Sequence, residues 1–521
     1  MSFTKEIISL HFGQAGIQIG DAMWQTITAE HNISSLGELP VTDIETLQSS
    51  GLKTFFHNGP DNRFIPRTLF VDTEPTVVDE IRTGYFRKLF HPDLLINGVE
   101  DAANNFSRGF YTIGYKMLHS LVEKCRYIVE SCDNFQGFMG FSGTGGGTGS
   151  GLFALFLERA MVEYSGKMSI GNLVVPGKTM SNCVVDPYNT LMRLSKAYSS
   201  EDLNFIIDNE SLYSISKKLN ICRPSYHSIN KILTPVFSTI TAPIRFEGSL
   251  TGTLNEISTN LIPYPRINFP MMSYTPYDSA EVSNTQPYSC KDLTMSLFDE
   301  SNNLLSQNLS NGTFMSSIMI YRGFHMVNDI LSAIHSLKKL KQFHWVDWCP
   351  TGFKITQTNS PAIHTFASNI FQPAKSILML SNHSSIMNTL KQETKKFVLL
   401  YRKRSYLHWY LGEGMEQVEF EDAFDDIVRM ELDYQDALYV EIKEVPESSD
   451  VINEGQSQEQ QSTDNEERYV DNEEQSIDNE DTNPKIIPEN EVTFKFQMNV
   501  KDNTENDYTH STINAKVTPS N

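Results

Sequence analysis

Apolar and polar positions along the chain follow two rhythms. Short segments dominated by apolar residues read as buried strands, and stretches with apolar residues every three to four positions read as helices packed on them. The strand segments are residues 7–12, 67–75, 135–141, 170–175 and 204–210. Helical spacing predicts helices from the turn at residues 13–20 to about His31, from near Thr76, from Ser107 to about Ser131, over 152–161, and from Ser225 to about Ile240. Strands alternating with helices over the first 210 residues predict an α/β fold with a doubly wound, mostly parallel sheet and helices on both faces. Residues 34–62 lack periodicity and carry Ser, Gly and Pro, which predicts a surface loop. A further helical region runs from Ile386 to about Tyr439. Ligands of such sheets lie beyond the carboxyl ends of the strands, so chemistry is expected in the loops that follow them.

At 521 residues the chain is too long for one core, so two or three domains are expected. A hydrophobic share of 39%, with 31 Phe and 21 Tyr, can fill them. No run of about 18 apolar residues occurs, so no membrane span is predicted. The opening residues enter a strand pattern at once, so no signal peptide is expected. The six cysteines (Cys125, Cys132, Cys183, Cys222, Cys290, Cys349) have neither metal nor disulfide spacing and read as free thiols in a reducing cytoplasm. A net charge of −22 argues against nucleic acid as a partner. That charge is uneven: from Val445 onward eighteen acidic and five basic residues give −13, leaving −9 for the first 444.

The composition beyond Val445 predicts a disordered acidic tail. It holds a heptad, Asp464-Asn-Glu-Glu, Asp471-Asn-Glu-Glu and Asp478-Asn-Glu-Asp, with Val470 and Ile477 between. One apolar residue per seven is too few for a coiled-coil seam, and like charge with low hydrophobicity favours disorder. Val492, Phe494, Phe496, Met498 and Val500 then alternate with polar residues, a strand signature without an identifiable partner.

The clearest chemistry lies in Gly143 to Gly151, Gly-Thr-Gly-Gly-Gly-Thr-Gly-Ser-Gly, between a strand segment and a helix. Strand, glycine loop and helix start together aim backbone N–H groups and a helix N-terminus at one spot, which suits a phosphate. The loop has no Lys, so it is not a P-loop, and no acid stands about twenty residues on to hold a dinucleotide ribose. Gly13-Gln14-Ala15-Gly16, again between strand and helix, repeats the phosphate-approach geometry. Asp72 and Glu74 end a strand beside this site and can hold Mg²⁺ through oxygen or bound water; equally, Thr73 or Asp72 can cap the next helix. Tyr226 and Asn230, four apart, share one helix face, as a base-stacking pair or as core residues.

Gly145 to Gly151 resembles the phosphate loop of the tubulin family, and other family segments follow in order. Gly13-Gln14-Ala15-Gly16 with Gln18 resembles its first nucleotide loop, and Asp101-Ala102-Ala103-Asn104 its γ-phosphate loop. Asn260-Leu-Ile-Pro-Tyr-Pro-Arg-Ile-Asn-Phe-Pro270, Trp348-Cys-Pro-Thr-Gly-Phe-Lys354 and His408-Trp-Tyr-Leu-Gly-Glu-Gly-Met-Glu416 extend the resemblance over residues 1–444. It implies a GTP site formed by Gly13, Gln14, Ala15, Gln18, Asp72, Glu74, Asp101, Ala102, Ala103, Asn104, Gly143, Thr144, Gly145, Gly146, Gly147, Thr148, Gly149, Asn182, Asp186, Asn209, Tyr226 and Asn230, with Glu74 toward Mg²⁺. It further implies a GTP-binding domain (1–208), an intermediate α/β domain with a core helix (209–385), a C-terminal helical region (386–444) and the tail (445–521).

Two features resemble the α branch of the family: the long segment from Lys354 to Ser381, and Glu256 in Thr253-Leu-Asn-Glu-Ile-Ser-Thr-Asn260. There the family implies a catalytic carboxylate that acts in trans on the GTP of a neighbouring β subunit. The chain's own GTP would be buried and non-exchangeable. The implied partners are β-tubulin, other dimers of the microtubule lattice, motors and microtubule-associated proteins, in the cytoplasm and cytoskeleton. A non-polymerising protein that docks on or sequesters β-tubulin is the alternative, and a self-assembling GTPase of bacterial type a third reading.

Departures from the family pattern are several. Gly143 removes a hydroxyl that Thr144 is expected to restore; Asn182 and Asp186 replace a Thr and a Glu; Thr253 replaces an Asp. The lateral-contact loop from Tyr277 to Tyr288 lacks an aromatic–His pair, with Asn284 and Thr285 in its place, and no Lys for acetylation occurs near Asp43.

Overall fold

The predicted alternation becomes a six-stranded sheet. In a computed structural model, described residues are 5–39, 51–59, 63–177, 181, 183–221, 223–246, 252–278, 288–339, 343–349, 352–363 and 373–438. Asn182, Cys222, the loop around Asp43, most of the Tyr277–Tyr288 loop, the middle of the Lys354–Ser381 segment and the whole tail lie outside them. The described residues belong to one compact unit, residues 1–443.

The strands are β1 (Glu6–Phe12), β2 (Phe56–Asn58), β3 (Phe64–Pro66), β4 (Thr68–Asp72), β5 (Leu95–Asn97), β6 (Phe135–Gly143), β7 (Met168–Val175) and β8 (Leu203–Asp208). All but the small β2–β3 pair form one sheet in the order β5-β4-β1-β6-β7-β8. Every pairing in it is parallel. The order reverses direction between β1 and β6, so their C-terminal loops open a crevice at that point. Continuously apolar strands are what a sheet covered on both faces requires, and β1, β4, β7 and β8 are buried along their full length.

A second, mixed sheet follows: β9 (Met271–Thr275), β10 (Thr313–Arg322), β11 (His344–Trp345), β12 (Phe353–Thr358) and β13 (Ser376–His383). β10 pairs with β11 and β12 in parallel and with β13 antiparallel, and β13 pairs antiparallel with β9. Between the sheets runs the Tyr226–Arg245 helix, which continues past the expected end near Ile240 despite Pro235 and Pro243 inside it. It is buried on nearly every side, and packing of that extent outweighs the roughly 3 kcal/mol per proline that an exposed helix would lose. The helices Ile386–Tyr401 and Gln417–Asp436 lie on the outside, on the Asp186–Ser200 helix, with Phe397, Phe420 and Tyr188 at the junction.

Three buried charges tie these layers. Glu30, at the end of the Gly13–Glu30 helix, bonds Arg245 at 2.7 Å and Arg322 of β10 at 2.9 Å, and accepts from Ser238 at 2.6 Å. Burial alone would raise the Glu30 carboxyl, but the two guanidiniums more than offset it and hold it down to about 2.

Candidate functional site

The glycine loop and the first loop meet at the crevice between β1 and β6. Gly13 has φ +71°, and a Cβ on it would stand 3.0 Å from the Gly149 nitrogen. Only glycine tolerates both that dihedral and that approach. The helix after the glycine loop opens one turn earlier than predicted, with a π-type turn at Thr148–Leu152 before Phe153–Glu163. A second such turn, Arg108–Thr112, precedes Ile113–Glu130.

Asp101, Ala102, Ala103 and Asn104 form the rim on the other side. Ala103 and Asn104 have φ of +49° and +51°, each in the left-handed region that costs a non-glycine residue about 1–2 kcal/mol. Strain kept in a loop at a crevice is held there by its surroundings. The Ala102 N–H donates to the Thr73 hydroxyl at 3.3 Å, and the Asn104 carbonyl accepts from the Asn189 amide at 2.7 Å. Gly147 packs against this rim so closely that a Cβ there would lie 2.8 Å from backbone atoms of Asn105.

Asp72 is buried at the end of β4 and accepts from the Thr73 N–H at 2.8 Å, while the Thr73 and Thr148 hydroxyls bond each other at 2.7 Å. Burial pushes the Asp72 carboxyl up to about 6 against the hydrogen bonds it accepts. Glu74 is exposed, sits at the N-cap of the Pro75–Thr83 helix without capping it, and accepts from the Thr76 hydroxyl. Neither Thr73 nor Asp72 caps that helix. Asp72, Glu74 and the Thr148 hydroxyl offer only oxygen donors, the ligand chemistry Mg²⁺ takes, while among the described residues no cluster of three or more His, Cys, Asp or Glu is placed to hold a metal.

Thr144 corrects an expectation. It is fully buried, and its hydroxyl bonds the Val174 carbonyl at 3.3 Å and the Thr190 hydroxyl at 3.1 Å. It therefore faces the sheet and does not restore the hydroxyl missing at Gly143. Asp186 opens its helix, accepts from the Ser181 hydroxyl at 2.6 Å, and is raised above the usual carboxylate range by burial. Asn209 opens the Asn209–Lys218 helix directly after β8. Gln18 and Asn230 line one cavity of about 200 Å³ with Asp21, Gln25, Glu80 and His227, whereas Tyr226 is half exposed at the helix start and does not line it.

Glu256 lies elsewhere, on the second sheet's side, in the first turn of the Leu254–Leu261 helix. Thr253 caps that helix by accepting from the Glu256 N–H at 3.3 Å. The Glu256 carboxylate accepts from the Gly252 N–H at 2.5 Å and pairs with Lys354 at 3.8 Å. Thr253 thus has a local task, and the acid three residues on completes a variant of the capping box. Sequence reasoning named Thr73 only as a helix cap and passed over Thr190 and Asn189. Asn189 carried a signal: a polar residue within the apolar face of a helix, between Tyr188 and Leu191.

Comparison with known proteins matches this architecture. The family model described as Tubulin/FtsZ family, GTPase domain, covers residues 6–217, and that described as Tubulin C-terminal domain covers 265–395. The chain is 41% identical over 433 residues to the tubulin alpha-2 chain of Caenorhabditis elegans, covering 83% of this chain and 96% of that one. It is 40% identical over 445 residues to the tubulin alpha chain of Pneumocystis carinii, with 84% and 99% covered. Against the tubulin alpha-3 chain of Saccharomyces cerevisiae it is 41% identical over 432 residues, with 82% and 97% covered. Among the described residues no helix is long and apolar enough to cross a membrane. The crevice between β1 and β6 lies within a GTPase domain, and the chain belongs to the tubulin family, as a divergent member of its α-tubulin branch.

Proposed function

We propose that this chain is an α-tubulin-type subunit that holds GTP in the crevice between β1 and β6, pairs with β-tubulin, and builds microtubules in the cytoplasm. The carrying observation is the mutual packing of the Gly13, Asp101–Asn104 and Gly143–Gly149 loops at one switch point, with Gly13 against Gly149 and Gly147 against Asn105. Backbone N–H groups of these loops bind the phosphates, with Thr148 and Gln14 beside them. Gln18, Asn209, Tyr226 and Asn230 hold the base, and Asp186 stands on the ribose side. Asp72 and Glu74 hold Mg²⁺, which when bound neutralises phosphate charge. A cation there also answers the burial of Asp72. With β-tubulin covering the crevice, the nucleotide resists exchange and is released only slowly.

Glu256 belongs to a different reaction. On this reading its carboxylate orients and deprotonates the water that attacks GTP on a neighbouring β subunit, with Lys354 and the Gly252 N–H fixing its position. The outer helices Ile386–Tyr401 and Gln417–Asp436 face motors and microtubule-associated proteins.

Co-sedimentation with microtubules, with GTP turnover measured for wild type and Glu256→Ala, tests both halves. The wild type should pellet with polymer. The mutant should keep its own nucleotide while lattice hydrolysis drops about 10²–10⁴-fold, the range for a positioned acid–base group. Equal hydrolysis would reduce Glu256 to a helix-capping carboxylate. A chain that binds β-tubulin yet never enters polymer would be the sequestering protein instead.

A further inference from the structure

Asn189 is fully buried in the Asp186–Ser200 helix and bonds four groups in three other segments with one side chain. Its amide nitrogen donates to the Asn104 carbonyl at 2.7 Å and to the Gly145 carbonyl at 2.6 Å. Its amide oxygen accepts from the Phe106 N–H at 3.1 Å and from the Tyr410 hydroxyl at 2.7 Å. Two carbonyls on one side and two donors on the other permit a single amide orientation, because the flipped form would set oxygen against oxygen. All four hydrogen-bonding positions are used, in a buried setting where each lost bond leaves an unsatisfied partner.

The geography matters more than the count. Asn104 belongs to the strained rim loop and Gly145 to the glycine loop, so Asn189 sets the spacing between the two loops expected to face the phosphates. Tyr410 comes from a distant stretch, the short Leu407–Leu411 helix. That helix is tied to the same rim twice more, through Ser107 to the Tyr410 carbonyl at 2.9 Å and Asn105 to the Trp409 carbonyl at 3.1 Å. Trp409 itself is 64% exposed beside this junction.

We propose that Asn189 is a positioning residue that holds the rim loop at the distance from the glycine loop that a terminal phosphate requires, and that Tyr410 keeps its amide oriented. The site therefore tells GTP from GDP partly through a residue that touches neither. This rests on the nucleotide reading above. A displaced rim loop affects the γ-phosphate, which GDP lacks, so the signature is a change in the GTP-to-GDP preference rather than a uniform loss.

The test is the release rate of bound GTP and of bound GDP, each measured on the full chain together with whatever subunit it copurifies with. Asn189→Ala should speed GTP release about tenfold more than GDP release, the change expected from the loss of the hydrogen bonds that hold the rim loop. Asn189→Asp, which sets an oxygen against both carbonyls, should show the largest change in that ratio. Tyr410→Phe keeps the ring and should shift the ratio in the same direction by about threefold, for one lost bond of four. Equal acceleration for both nucleotides, or none, in a folded Asn189 variant would overturn the proposal and leave Asn189 as structural support. If neither Asn189 variant folds, an unchanged ratio in Tyr410→Phe overturns it. Wild type that carries no guanine nucleotide would instead sink the nucleotide reading.

Discussion

His11 lies flat between two rings in the heart of the first sheet, 4.8 Å from Phe70 and 4.9 Å from Phe141. Burial lowers its imidazole to about 3, and burial likewise lowers His31 to about 3 and His383 to about 4. An unfolded histidine protonates near 6.5, so between that pH and the folded value the unfolded state binds the extra proton. Stability therefore falls as pH drops below about 6.5, by about 1.4 kcal/mol per pH unit for each such histidine. Replacing His11 with Phe should flatten the slope between pH 6.5 and 5 by about that one increment, read from urea midpoints. Parallel curves for mutant and wild type would show that His11 does not titrate on unfolding as argued. At this scale the sequence was legible where a residue's task is backbone geometry, as at Gly13 or Gly147. It was not legible where the task depends on a rotamer: nothing in the string Gly143-Thr144-Gly145 says that the threonine hydroxyl turns toward Val174 and Thr190.

Elements were legible wherever local periodicity decides them, and blurred where contact between elements decides. The two π-type turns, Arg108–Thr112 and Thr148–Leu152, face each other at glycine: a Cβ on Gly109 would lie 2.2 Å from the Gly147 carbonyl oxygen. The first helix starts where its apolar spacing put it, near Ser107, whereas the second opens one turn earlier than its own residues predicted, at a wider turn packed on the first. Gly147→Ala tests the packing of these elements around the crevice. Its Cβ would strike Asn105 backbone and Ala102, so the rim must move, and nucleotide release should speed by about tenfold, as a loss of about 1.4 kcal/mol of binding would give. Unchanged release would mean that the rim does not touch the nucleotide. The Glu30–Arg245–Arg322 cluster joins the Gly13–Glu30 helix, the Tyr226–Arg245 helix and β10, and no local pattern announced it. Glu30→Ala leaves two buried guanidiniums without a carboxylate and should cost about 3–5 kcal/mol, whereas Glu30→Gln, which keeps an acceptor for Ser238, should cost less. A loss below about 1 kcal/mol in denaturant would show the pair to be solvated.

For the whole molecule, the first 443 residues form one unit because the Tyr226–Arg245 helix and that charge cluster leave little independent surface between the two sheets. The matched family segments end at residue 395, and the chain from Val445 to Asn521 differs in kind, carrying −13 of the −22 net charge. Ordering such a segment costs about 1–2 kcal/mol of backbone entropy per residue, and a composition this acidic has little apolar area to offset it. Deleting residues 445–521 should therefore leave the melting temperature and the bound nucleotide unchanged, while reducing salt-sensitive binding of basic partners, since exposed like charge acts within about 10 Å at 0.1 M salt. The stretch Val492 to Val500 supplies the one sequence pattern that argues otherwise, because five apolar residues on alternate positions can add a strand to an open sheet edge. The two accounts separate cleanly. If that strand is part of the fold, truncation lowers the melting temperature by several degrees, and a synthetic peptide spanning 490–501 restores it. If it is not, truncation has no thermal effect and the peptide does not bind.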